Sequence, residues 1–184
     1  MLNVVLFQPE IPANTGTIGR SCVLTDTRLH LIGPLGFSLD DRMVRRSGMG
    51  YWHDIDLVVY DDYAEFLGKN PDARPWMFTK RADAYYHEVS YADGDYLMFG
   101  RESVGIDEFP ACHYVAPCLG VVECLGEGLA WCVGNVRRAP GEYGSVGTRC
   151  GDPADPDAVS LNLSNAANIV LFEALRQLGF PGVI

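Results

Sequence analysis

Short apolar runs alternate with segments of helical periodicity along the first hundred residues, and this alternation restricts the fold more than any other feature. Apolar runs occur at 2–7, 29–32, 55–60, 76–79 and 96–99, and Gly, Pro or polar residues end them. Runs of this length are typical of buried strands. Strands that alternate with helices predict an α/β fold, in which a mostly parallel sheet is flanked by helices. Ligands of such sheets bind beyond the carboxyl ends of the strands.

Four helices are predicted between and after these strands. The first is capped by Thr15 or Thr17 and carries Arg20 away from its apolar face. Short helices are predicted at 40–47 and 62–68. The last helix has a broad apolar stripe over 163–178. A stripe this broad favours burial against a second subunit as well as against the sheet.

The segment 111–159 interrupts the alternation. It holds eight of the 20 glycines and five of the six cysteines, and neither the helical nor the strand period persists in it. The cysteine spacing matches no zinc pattern of closely paired ligands, so we interpret the cysteines as thiols and expect no metal. The sequence assigns no secondary structure to this atypical Gly/Cys-rich segment.

The charge of the chain argues against nucleic-acid binding through bulk charge alone. Its 184 residues, enough for one domain, include 14 basic and 24 acidic side chains, for a net charge of −10. Residues 1–50 nevertheless carry five Arg against four acids, and Arg42, Arg45 and Arg46 form the densest basic cluster. That cluster is either a local RNA-binding patch or a solvated helix face.

The opening segment lacks the basic head of a signal peptide and no stretch has the length of a membrane span, so we expect a cytoplasmic protein.

Three segments carry candidate site residues: NTGTIGR at 14–20, LMFGRESVG at 97–105 and SLNLSNA at 160–166. Each joins a predicted strand or loop to a helix, where free backbone N–H groups and glycine can hold a polar ligand. Structural roles are open for the same residues. Gly100 is then a plain turn residue and Arg20 a solvated charge, while caps are provided by Glu102, Ser160 and Asn162.

In this order the three motifs resemble those of the SPOUT class of RNA methyltransferases, most closely the tRNA (cytidine/uridine-34) 2'-O-methyltransferases of the TrmL type. The opening LNVVLFQPEIPANTG and the closing SLNLSNAANIVLFEALRQLGFPG share the resemblance. It implies one SPOUT domain over 1–184, with an α/β sheet whose C-terminal part forms a trefoil knot. It also implies a homodimer with the cofactor site beside the subunit interface.

The resemblance further implies a reaction and a set of site residues. The reaction is methyl transfer from S-adenosylmethionine to the ribose 2'-hydroxyl of wobble nucleotide 34, in the anticodon loop of tRNA, leaving S-adenosylhomocysteine. Arg20 matches the catalytic arginine of the first motif. Cofactor contacts are expected at Phe78, Gly100 and Ser160, with Glu102 and Asn162 shaping the loops. RNA contacts are expected at Arg42, Arg45 and Arg46.

The chain departs from the family pattern in three places. The interval between Gly105 and Ser160 is longer than usual, Val159 replaces an arginine, and Phe172 replaces a tyrosine. Two alternatives therefore accompany the expected activity. One is 2'-O-methylation of another RNA, such as ribosomal RNA, and the other is a non-catalytic RNA-binding or cofactor-binding relative.

Overall fold

The computed structural model describes residues 1–39, 51–78, 86–103, 105, 118–119 and 161–181. Within these ranges strands and helices alternate, as the sequence predicts. The strands are β1 Asn3–Phe7, β2 Arg28–Ile32, β3 Leu57–Tyr60, β4 Pro75–Phe78, β5 Tyr96–Phe99 and β6 Cys118–Leu119. The helices are α1 Pro12–Leu24, a 3-10 helix at Tyr51–Asp54, α2 Tyr63–Lys69 and α3 Leu163–Gln177.

The strands form one six-stranded sheet in the order β3-β2-β1-β5-β4-β6. Every pairing between these strands is parallel, which confirms the predicted fold class. β1 is central because it pairs with β2 on one side and with β5 on the other. Buried on both faces, β1 has no polar residue after Asn3, as expected for a central parallel strand.

Helices cover the two faces of the sheet and create two apolar clusters. α1 and α3 contact each other on one face, where Ile18, Ala167 and Leu171 are among the buried residues. On the other face, Phe66 of α2 packs in a cluster with Met98 of β5. Because α1 and α3 both begin at the carboxyl edge of the sheet, their first turns lie beside the loops that follow β1 and β5.

The predicted cap of α1 is wrong. α1 begins at Pro12, whose ring fixes a helical φ, and its N-cap residue Ile11 makes no side-chain capping bond. Thr15 therefore lies inside the helix, and the hydroxyl of Thr17 donates to the carbonyl of Ala13. The caps of the other two helices are ordinary: Asp62 accepts from the backbone of Glu65, and Asn162 accepts from that of Ser164.

The five strands β1 to β5 and the helices α2 and α3 agree with their predicted positions to within two residues. The 3-10 helix at Tyr51–Asp54 and strand β6 were not predicted. The predicted helix at 40–47, the knot and nearly all of 111–159 fall outside the described residues and stay predictions. None of the described helices combines the length and the hydropathy needed to cross a lipid bilayer.

Candidate active site at the carboxyl edge of the sheet

Parts of all three motifs meet at the carboxyl edge of the sheet. The loop after β1 leads into α1, and the loop after β5 contains Gly100 and Glu102. Because β1 and β5 are paired in parallel, both loops leave the sheet side by side. The first residues of the third motif reach the same place because α3 begins at Leu163, against α1.

Glu102 supplies the cap that α1 lacks locally. Its carboxylate accepts hydrogen bonds from the backbone N–H of Glu10 at 2.8 Å and of Ile11 at 3.3 Å. It also accepts from the side-chain amide of Asn14 at 3.0 Å. N–H groups at a helix start have no partner within the helix, and a negative charge there is stabilised by the helix dipole. The predicted role of Glu102 in shaping the loops fits this geometry.

Glu10 makes the reciprocal contact with the loop after β5. Its carboxylate accepts from the backbone N–H of Ser103 at 2.9 Å and from the Ser103 hydroxyl at 2.8 Å. Each of the two loops therefore contributes a carboxylate that accepts hydrogen bonds from the backbone of the other loop. Sequence reasoning missed both Glu10 and Ser103, since neither residue type nor spacing marks a partner so far along the chain.

Asn14 connects the first two motifs to the third. While its amide nitrogen donates to Glu102, its carbonyl oxygen accepts from the side-chain amide of Asn162 at 2.9 Å. The Asn162 oxygen accepts from the Ser164 backbone at 2.9 Å and from its hydroxyl at 2.6 Å. Asn162 is thus a helix cap and a link between motifs at once. The sequence analysis missed Asn14, although its position at the start of the first motif was a usable signal.

Phe78 and Gly100 lie at the carboxyl ends of two neighbouring strands, Phe78 as the last residue of β4 and Gly100 directly after β5. The Phe78 ring is buried and stacks on Phe99, with ring centroids 4.8 Å apart and planes at 14°. Gly100 is buried directly after β5. Gly105 then closes the loop by exchanging backbone hydrogen bonds with Arg101, and its φ of 71° is one that residues with a side chain rarely adopt.

Arg20 lies on α1, beyond Asn14, and its side chain is exposed. Its guanidinium carbon lies 5.3 Å from the centroid of the Tyr51 ring. On the inward side of the same helix, burial raises the pKa of the Cys22 thiol to about 12. Cys22 is therefore protonated at neutral pH and is unsuited to act as a nucleophile.

Four predicted site residues lie outside the described part of the chain. They are Ser160 of the third motif and the basic residues Arg42, Arg45 and Arg46. Of the residues expected to contact or shape a cofactor site, the structure brings Gly100, Glu102 and Asn162 to one edge, with Phe78 at the end of a neighbouring strand. Among the described residues, no group of three or more His, Cys, Asp or Glu side chains is placed to hold a metal ion.

A second polar network lies away from this edge, on the face of the sheet that α2 covers. His30 Nδ1 lies 2.8 Å from the Tyr60 hydroxyl, and its Nε2 lies 3.1 Å from the side-chain oxygen of Asn3. Asn70 donates to the Tyr60 oxygen and accepts from the Tyr96 hydroxyl. Burial is the main cause that lowers the pKa of His30 to about 4, with a further contribution from Arg28. A neutral imidazole satisfies every partner, so this network is structural.

The fold and the edge together define a parallel α/β protein whose candidate ligand site is built from three loops joined by side-chain hydrogen bonds, with an exposed arginine on the adjoining helix. Residues 1–115 match the SpoU rRNA Methylase family. The chain belongs to this family.

Similarity to individual relatives extends over the whole chain. The chain is 39% identical over 184 residues to the tRNA (cytidine(34)-2'-O)-methyltransferase of Escherichia coli strain K12, covering 100% of this chain and 98% of that protein. It is 38% identical over 182 residues to the protein of the same name from Saccharophagus degradans, covering 99% of each. A solved structure concerned with the 2-OH methylation of C/U34 on tRNA is 34% identical, with a TM-score of 0.73 and 97% of each chain covered.

Proposed function

We propose that this protein transfers a methyl group from S-adenosylmethionine to the ribose 2'-hydroxyl of wobble nucleotide 34 of tRNA. Family membership and full-length similarity to relatives named for this reaction support the proposal. In the structure, the main support for this proposal is Asn14, which hydrogen-bonds to both Glu102 and Asn162 and so joins the three motifs.

The residues at the carboxyl edge fit S-adenosylmethionine. The cofactor supplies an electrophilic methyl group on a sulfonium sulfur when it is bound. A buried glycine at position 100 lets a ligand approach the backbone, and the aromatic pair Phe78 and Phe99 keeps this edge apolar. Because the Phe78 ring already stacks in the core, we expect its main chain to make the cofactor contact. Ser160 contributes from the third motif, and Glu102 and Asn162 hold the loops in place.

Arg20 is the catalytic residue of the proposed reaction. Its exposed side chain can reach a macromolecular substrate above α1. A guanidinium has a pKa above about 12 and is therefore a poor proton acceptor. Its N–H groups instead orient the 2'-hydroxyl or the adjacent phosphate and stabilise negative charge that develops on oxygen.

The tRNA is bound through few phosphate contacts, in keeping with the net charge of −10. Arg42, Arg45 and Arg46 are the proposed contacts with the anticodon loop. A tRNA substrate places the reaction in the cytoplasm. Affinity should accordingly weaken only moderately as the salt concentration rises.

A homodimer is the proposed assembly. Leu24 of α1 is 64% exposed, and Ile169 and Phe172 of α3 are 38% and 44% exposed, on two helices that contact each other. Exposed large apolar side chains on two adjoining helices support an interface there. A phenylalanine at position 172 adds to this apolar surface, so the loss of the family's tyrosine hydroxyl is compatible with dimer formation.

The proposal is tested by incubating the protein with labelled S-adenosylmethionine and purified tRNA, then digesting the RNA and identifying the labelled nucleotide. Label on the 2'-oxygen of nucleotide 34 is the expected result. Arg20→Ala should abolish transfer while leaving thermal unfolding and the dimer unchanged. Ribosomal RNA is assayed separately, because the family to which the chain belongs is named for rRNA. Label on rRNA alone, or cofactor binding without transfer to either RNA, would contradict the proposal.

A further inference from the structure

We propose that Tyr51 is a positioning residue for Arg20, holding the guanidinium over its ring so that the N–H groups face the RNA. This inference rests on the catalytic role proposed for Arg20. The guanidinium carbon lies 5.3 Å from the ring centroid, within the distance at which a cation is attracted to an aromatic face. Tyr51 itself is half-buried, whereas Arg20 is exposed. The ring is thus the better anchored of the two partners.

Gly19, the residue before Arg20, explains how the ring comes so close. A Cβ added at Gly19 would lie 2.8 Å from Cδ1 of Ile55 and 3.6 Å from Cζ3 of Trp52. The 3-10 helix at Tyr51–Asp54 contacts α1, and the chain around Trp52 and Ile55 lies against the helix surface that Gly19 leaves open. Packing at Gly19 therefore fixes the segment that carries Tyr51, and the ring is held independently of the arginine.

A ring face suits this arginine better than a carboxylate does. Among the residues that the structure describes, Arg20 forms no ion pair with an acidic side chain. A carboxylate would occupy guanidinium N–H groups and offset the positive charge that the reaction needs. Stacking uses the face of the guanidinium plane and leaves its five N–H donors available. Tyr51 thus restricts the rotamers of a long exposed side chain without neutralising it.

The test compares Tyr51→Phe, which keeps the ring face, with Tyr51→Leu, which keeps an apolar side chain and removes the face. Steady-state methyl transfer gives kcat and the KM values for tRNA and S-adenosylmethionine. Tyr51→Leu should lower kcat by about tenfold, as expected when a catalytic group loses its alignment, with little change in KM for the cofactor. Tyr51→Phe should stay within about twofold of wild type, because the cation–π contact is retained. His53→Leu, an exposed position in the same 3-10 helix, is the matched control and should leave kcat unchanged.

A second readout follows the side chain directly. The Nε–H signal of Arg20 in an NMR spectrum, assigned by its loss in Arg20→Ala, should shift in Tyr51→Leu and stay in place in Tyr51→Phe. The proposal is overturned by wild-type kcat in Tyr51→Leu, or by equal losses in the Leu and Phe variants. If Arg20→Ala itself retains activity, the proposed function loses its catalytic arginine and the positioning role falls with it. If Arg20→Ala is inactive but Tyr51→Leu leaves the Arg20 signal in place, the catalytic role of Arg20 stands and the positioning role of Tyr51 is wrong.

Discussion

The two polar networks of this protein differ in their charge, in their burial and in the groups that their acceptors bind. The network at the carboxyl edge is built on the carboxylates of Glu10 and Glu102; the bonds of Glu102 to Glu10 and Asn14 are part-buried, and those of Glu10 to Ser103 are exposed. The inner network, centred on His30, is neutral and deeply buried beneath α2. Both join distant parts of the chain with bonds of similar length. Burial and hydrogen bonding alone therefore do not identify a functional site.

The edge network is distinguished by what its acceptors bind. Glu102 satisfies backbone N–H groups at the start of α1, and thereby fixes the helix that carries Arg20. In the inner network the side chains mainly satisfy one another. The comparison predicts that damage to the inner network lowers stability alone, whereas damage to the edge network also lowers activity.

The largest effect on stability is expected from acid acting on His30. Its pKa is about 4 in the folded protein against 6.5 as the ordinary value, so between these pH values the unfolded chain binds a proton that the folded chain does not. The stabilisation is complete above pH 6.5 and decreases as the pH falls, by about 3 kcal/mol in total at pH 4. Urea unfolding over this pH range measures the effect. His30→Gln should show a shallower pH dependence, and an unchanged slope would contradict the assignment.

Replacing Glu102 should have the next largest effect on stability. Glu102→Ala leaves the backbone N–H groups of Glu10 and Ile11 without their acceptor, which costs about 2 kcal/mol of unfolding free energy. Methyl transfer by the folded variant should fall by about 100-fold, because the start of α1 loses its alignment. Glu102→Gln keeps an acceptor oxygen, so its stability and its methyl-transfer activity should lie between those of the wild type and of Glu102→Ala. Asp72→Ala, at an exposed position, is the control; activity that falls no further than in this control would break the comparison.

Matched asparagine substitutions sharpen the contrast. Asn14→Ala and Asn70→Ala each remove an amide that both donates and accepts, at a cost of about 1 kcal/mol. Only Asn14→Ala should also lower kcat, by about tenfold, because only Asn14 joins the three motifs. Chemical denaturation and methyl-transfer kinetics on the same preparations separate the two effects. Equal losses of activity would show that the inner network also supports the site.

The smallest effect is expected at Asp56, whose carboxylate forms an exposed ion pair with Arg28 at 2.7 Å. Asp56→Asn should change the free energy of unfolding by less than about 0.5 kcal/mol, since exposed ion pairs contribute little. The Asp56 carboxylate raises the pKa of His30, so its removal should lower that pKa further. NMR titration of the imidazole measures the shift. A rise in the His30 pKa would contradict this electrostatic account.

The strands were predictable because the signal for a buried strand is local. An apolar run ended by glycine or proline is visible in a few residues, and five such runs correspond to five described strands. The start of α1 was not predictable in this way, because its cap is Glu102, 92 positions beyond the N–H group of Glu10 that it binds. The polar pattern around Thr15 and Thr17 offered local caps that the folded chain does not use.

The candidate site was predictable only in part for the same reason. Motif order and resemblance singled out Arg20, Gly100, Glu102 and Asn162. The side chains that bind them, such as Asn14, are 88 and 148 positions from their partners, and no periodicity encodes such contacts. The sequence analysis missed Tyr51 because its proposed role depends on the close packing that Gly19 permits.

The central position of β1 has a consequence for synthesis of the chain. β1 leaves the ribosome well before its neighbour β5, which begins only at Tyr96. At translation rates of about 5–20 residues per second, one edge of the most buried strand waits roughly 5–20 seconds for its partner. α3, which covers α1, is made later still. The nascent protein therefore exposes an open strand edge and an apolar helix face together, which is the period when a chaperone that shields such surfaces has the most to protect.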